Sequence, residues 1–390
     1  MPQATGPKQT AKENLVFAYD VGDVKNSYAG EPTTNYQVGW SPWTAGGINT
    51  DVTGTVDQGP IKNALTWKFE KTGGSNQWNG WEATYGGIWT GNSGDVWTTS
   101  YWYKTSAPAG VTGFGIGNFY TPDWARPYSV SILAQSNGII ADGQWHYNYT
   151  TTQFNENYSN AIIVDGPSWG YSPQTGTLYI NGLQWEKKSH PTPFAAYVRS
   201  TTQALKPIVS NTTIDLSNVS FDANAQIIFD GTNDKINLGL LNITNTAFTY
   251  ETVIKTDSIT GGYSWILGKA GYNMGLNRYD NYLKFFLYDS SNNLYSAEGG
   301  TLNTTSYFHV VGVYTGLNLQ LYVNGVLINT SGAISTPKNY DGTDTYIGTP
   351  NGSSLFYQGQ IPVAKVYNRA LTATEIQQNY KSYKTRFKLS

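Results

Sequence analysis

The segment from Gly359 to Ile376 constrains this chain more than any other. It reads Gly-Gln-Ile-Pro-Val-Ala-Lys-Val-Tyr-Asn-Arg-Ala-Leu-Thr-Ala-Thr-Glu-Ile. An apolar strand ends at an Asn368-Arg369 turn, and one short helix follows. Thr372 and Glu375 have the spacing of a capping box, in which each side chain satisfies a backbone N–H of the other. Ile376 and Tyr380 then share a face, and Lys381 and Lys384 stand near the C-terminal end, where cations are favoured. The end of the chain is therefore read as the closing piece of a compact β-domain.

The rest of the sequence is just as rich in β signals and poor in helix signals. Its 390 residues suggest two or three domains. Gly (42), Tyr (30) and Trp (13) are abundant while charged residues are only 13% of the chain, the balance of a turn-rich β protein. Lys plus Arg (24) nearly cancel Asp plus Glu (26), so no basic footprint for nucleic acid or anionic membrane exists. Neutral polar partners, glycans or protein, fit better. With no cysteine, disulfides, thiolate metal sites and a Cys nucleophile are excluded. No apolar run reaches the length of a membrane-spanning helix. Residues 1–13 are polar, lack the apolar core of a signal peptide, and are read as a flexible or attachment arm. Without a secretion signal, the Asn-x-Ser/Thr triplets at Asn148, Asn211, Asn218, Asn242, Asn303 and Asn329 are read as chance.

Strand-like runs divide into two series. Asn14–Asp20 stands first, and between Ile61 and Phe194 short runs such as Val96–Lys104, Trp145–Thr152 and Thr177–Glu186 have β-sandwich spacing. His190-Pro191-Thr192-Pro193 interrupts the chain, and a domain boundary is placed near 188–200. A second series runs from Ile227 to Tyr367. Asn181-Gly182 and Asn324-Gly325 both predict type I′ hairpin turns, because that turn needs two residues with positive φ. Pro362 lacks a ladder donor, which predicts an edge position or a bulge in the closing strand.

Residues 227–380 resemble a concanavalin A-like, laminin G-like lectin domain. The resemblance rests on Phe229-Asp230-Gly231, the strand Phe248–Lys255, the pair Phe308–Tyr314 and Leu319–Leu327 with its Tyr-Val-Asn-Gly turn, Tyr346-Ile347-Gly348, and Val366-Tyr367-Asn368-Arg369-Ala370-Leu371. The family's acidic residues after the Gly-x-Ile of the closing strand are replaced here by Pro362 and Val363, which puts a calcium site at that spot in doubt. Residues ~50–195 resemble a jelly-roll carbohydrate-binding module of the galactose-binding-like kind, through Val96–Lys104, Gly143–Tyr147 and Leu178–Glu186. The ending Gln184-Trp185-Glu186, followed by Thr192-Pro193-Phe194, is similar to a motif common in bacteriophage virion proteins. These resemblances imply an all-β fold of two antiparallel sandwiches, a jelly roll plus a concanavalin A-like one, with one short C-terminal helix. The implied arrangement is an arm at 1–13, a first strand at 14–30 belonging to the lectin domain, an inserted jelly roll at 31–195 and the remaining lectin domain at 196–390. The alternative gives residues 14–20 to the jelly roll.

A sugar site needs a flat aromatic beside a few amides or carboxylates. Trp78, Trp81, Tyr85 and Trp89 lie in a Gly/Asn-rich stretch with poor strand alternation, where a ligand platform competes with ordinary packing. The same holds for Trp124 and Arg126, and for Trp169 and Tyr171, both near prolines. In the second series Tyr263, Trp265, Tyr272, Asn273, Asn277, Arg278, Tyr279 and Asp280 cluster between predicted strands. Tyr101-Trp102-Tyr103 sits inside a β run, so at least one of its faces is read as core, and Trp67 and Trp185 are likewise assigned to the core. Asp341 and Asp344 flank a glycine and form a weak calcium candidate, more readily explained as a turn; no cofactor is otherwise expected.

Catalysis finds little support. Glycoside hydrolysis needs two positioned carboxylates. The Glu-x-Asp-x-x-Glu triple of the related glucanases is absent, and Glu251 stands alone on its strand. His146, His190 and His309 are far apart, and no Gly-x-Ser-x-Gly elbow occurs. The expectation is a non-enzymatic bacteriophage virion protein on the particle surface, homo-oligomeric there, with surface polysaccharide and other virion proteins as partners. The alternatives are a purely structural capsid or tail decoration protein, and the non-catalytic binding part of a secreted polysaccharide-degrading system.

Overall fold

The computed structural model describes residues 12–36, 41–44, 50–56, 59–62, 64–71, 79–82, 90–105, 118–120, 128–136, 140–159, 162–164, 176–210, 212–243, 246–271, 274–339 and 342–390. Among them every sheet is antiparallel and the one α-helix is Ala373–Phe387. The fold is therefore all-β with a short C-terminal helix. The chain forms two compact units. One comprises residues 1–32, 200–222 and 226–390; the other comprises 33–199 with 223–225.

The first unit is a two-sheet sandwich. Its eight-stranded sheet runs Ser220–Phe221, Ile227–Asp230, Gln358–Tyr367, Phe248–Thr256, Phe308–Tyr314, Leu319–Val323, Val326–Thr330, with Leu15–Asp20 also paired to Gln358–Tyr367. Its six-stranded sheet runs Ile236–Asn237, Thr345–Ile347, Tyr263–Lys269, Met274–Tyr279, Tyr282–Tyr288, Leu294–Thr301. Alternation sends Tyr250, Ile254, Val310 and Val366 of one sheet against Leu276, Phe285, Leu287 and Ile347 of the other, all buried in one core.

Pro362 sits in a bulge. Val253 pairs with Val363 and Lys255 with Gln360, so Ile361 and Pro362 together oppose Ile254. The outer neighbour changes at the same place, from Phe229 opposite Gly359 to Asp20 opposite Val363. A proline is tolerated where the ladder is already broken. Asn324 (φ 50°) and Gly325 (φ 77°) form the predicted turn between Leu319–Val323 and Val326–Thr330. The helix carries the predicted capping box. Glu375 N–H donates to Thr372 Oγ1, and Thr372 N–H donates to Glu375 at 2.9 Å.

The second unit has a six-stranded sheet, Thr50–Val56, Leu65–Lys71, Gly176–Glu186, Val96–Thr105, His146–Phe154, Val130–Gln135, and a four-stranded one, Ser41–Thr44, Asn79–Glu82, Ile162–Val164, Asn118–Tyr120. Its core holds Trp97, Tyr101, Tyr103, Phe154, Leu178, Ile180 and Trp185, with Trp67 packed against it. Thr33–Thr34 and Val198–Arg199 pair where the unit's chain starts and ends.

Here one turn prediction fails. Asn181-Gly182 is not a hairpin; Gly176–Glu186 is one strand, with a bulge between Asn181 and Gln184 and Gly182 at φ +64°. The positive φ that suits a type I′ turn suits a bulge equally. The decision is made by tertiary contacts. Asn181 is fully buried, its Oδ1 accepts from Ile61 N–H at 2.7 Å, and its Nδ2 donates to Thr66 Oγ1 at 3.1 Å.

Candidate functional site

Three central strands of the six-stranded sheet in the first unit carry small and aromatic residues on their outward face. Cross-strand pairing aligns them in rows. Tyr263 stands opposite Tyr279, and Tyr279 opposite Tyr282. The ring centroids are 4.4 and 5.3 Å apart, so the row is a ladder of three tyrosines. The next row runs Trp265, Asn277, Lys284, Glu298. Trp265 lies flat on the sheet because Gly268 and Gly275 lie under it; a Cβ at either would come within 2.6 Å of the indole. Phe286 meets the indole edge-on at 5.8 Å.

On this face is a cleft of ≈180 Å³ lined by Tyr263, Trp265, Asn277, Lys284, Phe286, Tyr288, Leu294 and Leu355. Tyr263 is 39% exposed at its mouth and Trp265, fully buried, is its floor. Lys284 Nζ stands 5.8 Å from the Tyr263 ring centre and 2.8 Å from Glu298 Oε1. Desolvation pulls the Lys284 ammonium toward deprotonation, but the bond to Glu298 outweighs it and raises its pKa. Desolvation likewise works against the Glu298 carboxylate, and Lys284 and Ser296 overcome it and lower its pKa. Asn277 is 5% exposed, and its Oδ1 is buried with no hydrogen-bond partner among the described residues. Such a carbonyl costs stability and is satisfied when a donor enters the cleft. Leu355 closes one side with φ +50°, a backbone state that a leucine rarely adopts, and its carbonyl accepts from Trp265 N–H at 2.9 Å.

Of the residues singled out from sequence, Tyr263, Trp265, Asn277 and Tyr279 meet on this face. The reading that they lie between strands is corrected: they lie on Tyr263–Lys269 and Met274–Tyr279. Strand alternation explains why Arg278 does not join them. It points to the other side, where its Nε donates to Ser264 Oγ at 3.0 Å and its NH1 to Asp280 O at 2.7 Å, so it holds the backbone together. Trp81 also lies on a strand, Asn79–Glu82, opposite Pro42, rather than in a loop, because long-range pairing overrides its weak local pattern. The Trp81 ring lies outside the described residues, as do Trp78, Tyr85, Trp89, Trp124, Arg126, Trp169, Tyr171, Tyr272, Asn273 and Asp341. Asp344 accepts from Asn237 Nδ2 at 3.0 Å. Among the described residues no three His, Asp or Glu side chains come together in a way that could hold a metal. Lys284, Phe286, Tyr288 and Leu355 were not singled out. The alternation in Tyr282-Leu-Lys-Phe-Phe-Leu-Tyr carried the signal for the first three, since it sets Lys284 and Phe286 opposite the core residues Leu283 and Phe285.

A second polar group lies on the outer face of the eight-stranded sheet, beneath the helix. Glu251 is not alone there. It accepts from His309 Nε2 at 2.9 Å, Tyr367 Oη at 3.0 Å and Asn379 Nδ2 at 2.9 Å, and Lys365 Nζ stands at 3.9 Å. Burial alone would raise its pKa, but Lys365 and His309 outweigh burial and hold it at about 2. Glu251, His309, Lys365, Tyr367 and Asn379 are all buried under Tyr380 and Tyr383 of the helix. This cluster ties the helix to the sheet; it is not an open site.

The first unit is thus an antiparallel two-sheet β-sandwich with an aromatic cleft on one outer face. Residues 230–377 match the family model of the concanavalin A-like lectin/glucanases superfamily. No curated protein matches the sequence. Among solved structures, the chain is similar to a botulinum neurotoxin type G receptor-binding domain (16% identity, 46% of this chain and 48% of that one, TM-score 0.38). It is similar at the same level to a botulinum neurotoxin serotype D ligand-binding domain in complex with N-acetylneuraminic acid (17% identity, 47% and 49% covered, TM-score 0.38). The chain thus spans about half the length of the structures it matches, and likeness this distant carries no functional argument.

Proposed function

We propose that this chain is a non-enzymatic glycan-binding protein, displayed on a bacteriophage particle as a fibre or decoration component and homo-oligomeric there. One observation supports the binding half most. An exposed tyrosine ring, an ammonium and an amide oxygen with no partner among the described residues share one cleft, at Tyr263, Lys284 and Asn277. A sugar offers a C–H face to the ring and a hydroxyl to the amide. The volume suits a single ring-sized ligand, being below the ~300–1,000 Å³ of drug-sized sites. The superfamily match over residues 230–377 agrees with this reading. Glucanase chemistry would need two carboxylates flanking the ligand; no Asp or Glu is among the described residues that line the cleft, and nearby Glu298 is held by Lys284 and Ser296. Affinity per site would be weak, and many copies on a particle would supply avidity. A multimerised form on an array of bacterial surface glycans tests this. Signal that Tyr263→Ala and Asn277→Ala each weaken about tenfold or more supports the site; no binding to any glycan removes it.

A second reading, a structural protein contacting other virion proteins, is favoured by one feature. Val326–Thr330 is the edge strand of the eight-stranded sheet and is exposed throughout, with Val326 at 58%, Leu327 at 45% and Ile328 at 40%. An apolar edge invites strand pairing with another chain. A map of the intact particle decides between the two: a partner strand on Val326–Thr330 supports the structural role, and a solvent-lined Tyr263 face supports adhesion.

A further inference from the structure

The cleft of the first unit has a lopsided lining. Trp265 is its floor, and Phe286, Leu294 and Leu355 stand around it. Leu355 takes its place there at φ +50°, so a strained backbone holds an apolar side chain in the wall. Apart from the aromatic residues, only Asn277 and Lys284 bring polar side chains. These two stand directly opposite each other on neighbouring strands, Met274–Tyr279 and Tyr282–Tyr288. Their side chains are therefore neighbours on one face.

Each of the two offers a different half of a hydrogen bond. Asn277 offers an acceptor, since its buried Oδ1 meets no donor among the described residues. Lys284 offers a donor. Its ammonium has three N–H groups, and Glu298 Oε1 at 2.8 Å takes one. Glu298 also balances the charge, so among the described residues the lining holds no unpaired cation for an acidic ligand. A sugar hydroxyl can satisfy Asn277, but it brings lone pairs of its own and further hydroxyls beside it, which apolar walls leave unmatched. An acetamido group brings one N–H, one carbonyl and a methyl. The N–H donates to Asn277 Oδ1, the carbonyl accepts from Lys284 Nζ, and the methyl rests against Trp265, Phe286 and Leu294. No polar atom of that group is left over.

We propose that this cleft recognises an acetamido group, carried by a neutral 2-acetamido sugar. The proposal rests on the glycan-binding reading of the same cleft and narrows it to one substituent. Tyr263, 39% exposed at the mouth, is left for the C–H face of the sugar ring. Plain hexoses lack the amide N–H and the methyl. Free hexosamines put an ammonium against apolar walls, and acidic sugars bring a carboxylate to a lysine that Glu298 already occupies.

Saturation-transfer NMR and competition titrations on the full chain test this, with N-acetylglucosamine, N-acetylgalactosamine, glucose, galactose, glucosamine and N-acetylneuraminic acid as probes. The first two should bind about tenfold more tightly than the other four, and their acetyl methyl protons should take up the most saturation. Asn277→Leu removes the acceptor and should bring the acetylated sugars down to the level of the plain ones. Should Asn277→Leu fold poorly by near-UV circular dichroism, Leu294→Asn decides. Leu294 is 47% exposed, and a polar side chain there should cut the preference about fourfold, the worth of one buried methyl. Thr372→Ala, at the helix cap, should leave the preference unchanged. Binding without any preference for acetylated sugars overturns the proposal and leaves the glycan-binding reading standing; no binding of any sugar removes both. N-acetylneuraminic acid binding as tightly as the neutral pair overturns the neutral class. A preference that survives both Asn277→Leu and Leu294→Asn rejects this cleft as its source. An acetyl-lysine peptide that displaces N-acetylglucosamine at equal or lower concentration reassigns the cleft to acetylated protein and overturns the sugar.

Discussion

In the first unit the eight-stranded sheet turns Glu251, His309, Lys365 and Tyr367 outward beneath a helix, whereas the six-stranded sheet turns Tyr263, Asn277 and Lys284 outward onto an open cleft. Both faces combine aromatic rings with a Lys–Glu pair. On the covered face the carboxylate has three hydrogen-bond donors and a nearby ammonium, and the covering helix adds the rings of Tyr380 and Tyr383. On the open face the ion pair lies to one side, and among the described residues an amide oxygen is left without a donor. Polar groups on a sheet face thus serve stability when another element satisfies them and recognition when a ligand must. Local sequence does not separate the two cases, since Glu251 and Lys284 sit in similar alternating strands.

The comparison breaks first at Glu251. Glu251→Ala leaves Lys365 and His309 buried without their anion and should cost about 3–5 kcal/mol by urea denaturation. A loss under about 1 kcal/mol would mean that the cluster does not hold the helix. Acid sharpens the same point. The Glu251 carboxyl titrates at about 2 in the folded protein, below its unfolded value, so it contributes stability above about pH 4.5 that is lost as pH falls toward 2. Glu375, bonded to Arg369 and also held at about 2, adds to the same window. Urea midpoints from pH 7 to 2.5 should fall across this window, and Glu251→Gln should flatten the fall. The open face should respond in the opposite sense. Asn277→Ala should weaken glycan binding about tenfold, by loss of one hydrogen bond to a buried acceptor, without lowering the melting temperature. A large loss of stability instead would place Asn277 with the structural groups. The smallest effect is expected at the cap of the covering helix, where Thr372→Ala should cost about 1 kcal/mol and leave glycan binding intact.

Much of the fold was legible because its signals are local. The capping box at Thr372 and Glu375 needs only a four-residue window, and the Asn324-Gly325 turn needs two positive φ angles next to two strands. Asn181-Gly182 carried the same turn signal and became a bulge, since the contacts that decided it come from residues 61–66. The candidate cleft was half legible. Tyr263, Trp265, Asn277 and Tyr279 stood out as a polar–aromatic cluster, but sequence proximity also drew in Arg278, which one step of the pleat sends to the other side.

What the sequence determined by itself was the β-rich class, the end of the chain, and the exclusion of cysteine chemistry, because composition and short-range pattern suffice for these. What only the tertiary structure decided was register and partnership. Glu251 meets Asn379 across 128 residues, and Leu355 meets Trp265 across a loop whose backbone is held at positive φ. Antiparallel pairing fixes which face every second residue takes, and that assignment depends on strands far away in the chain. No local window contains the strand that makes the choice.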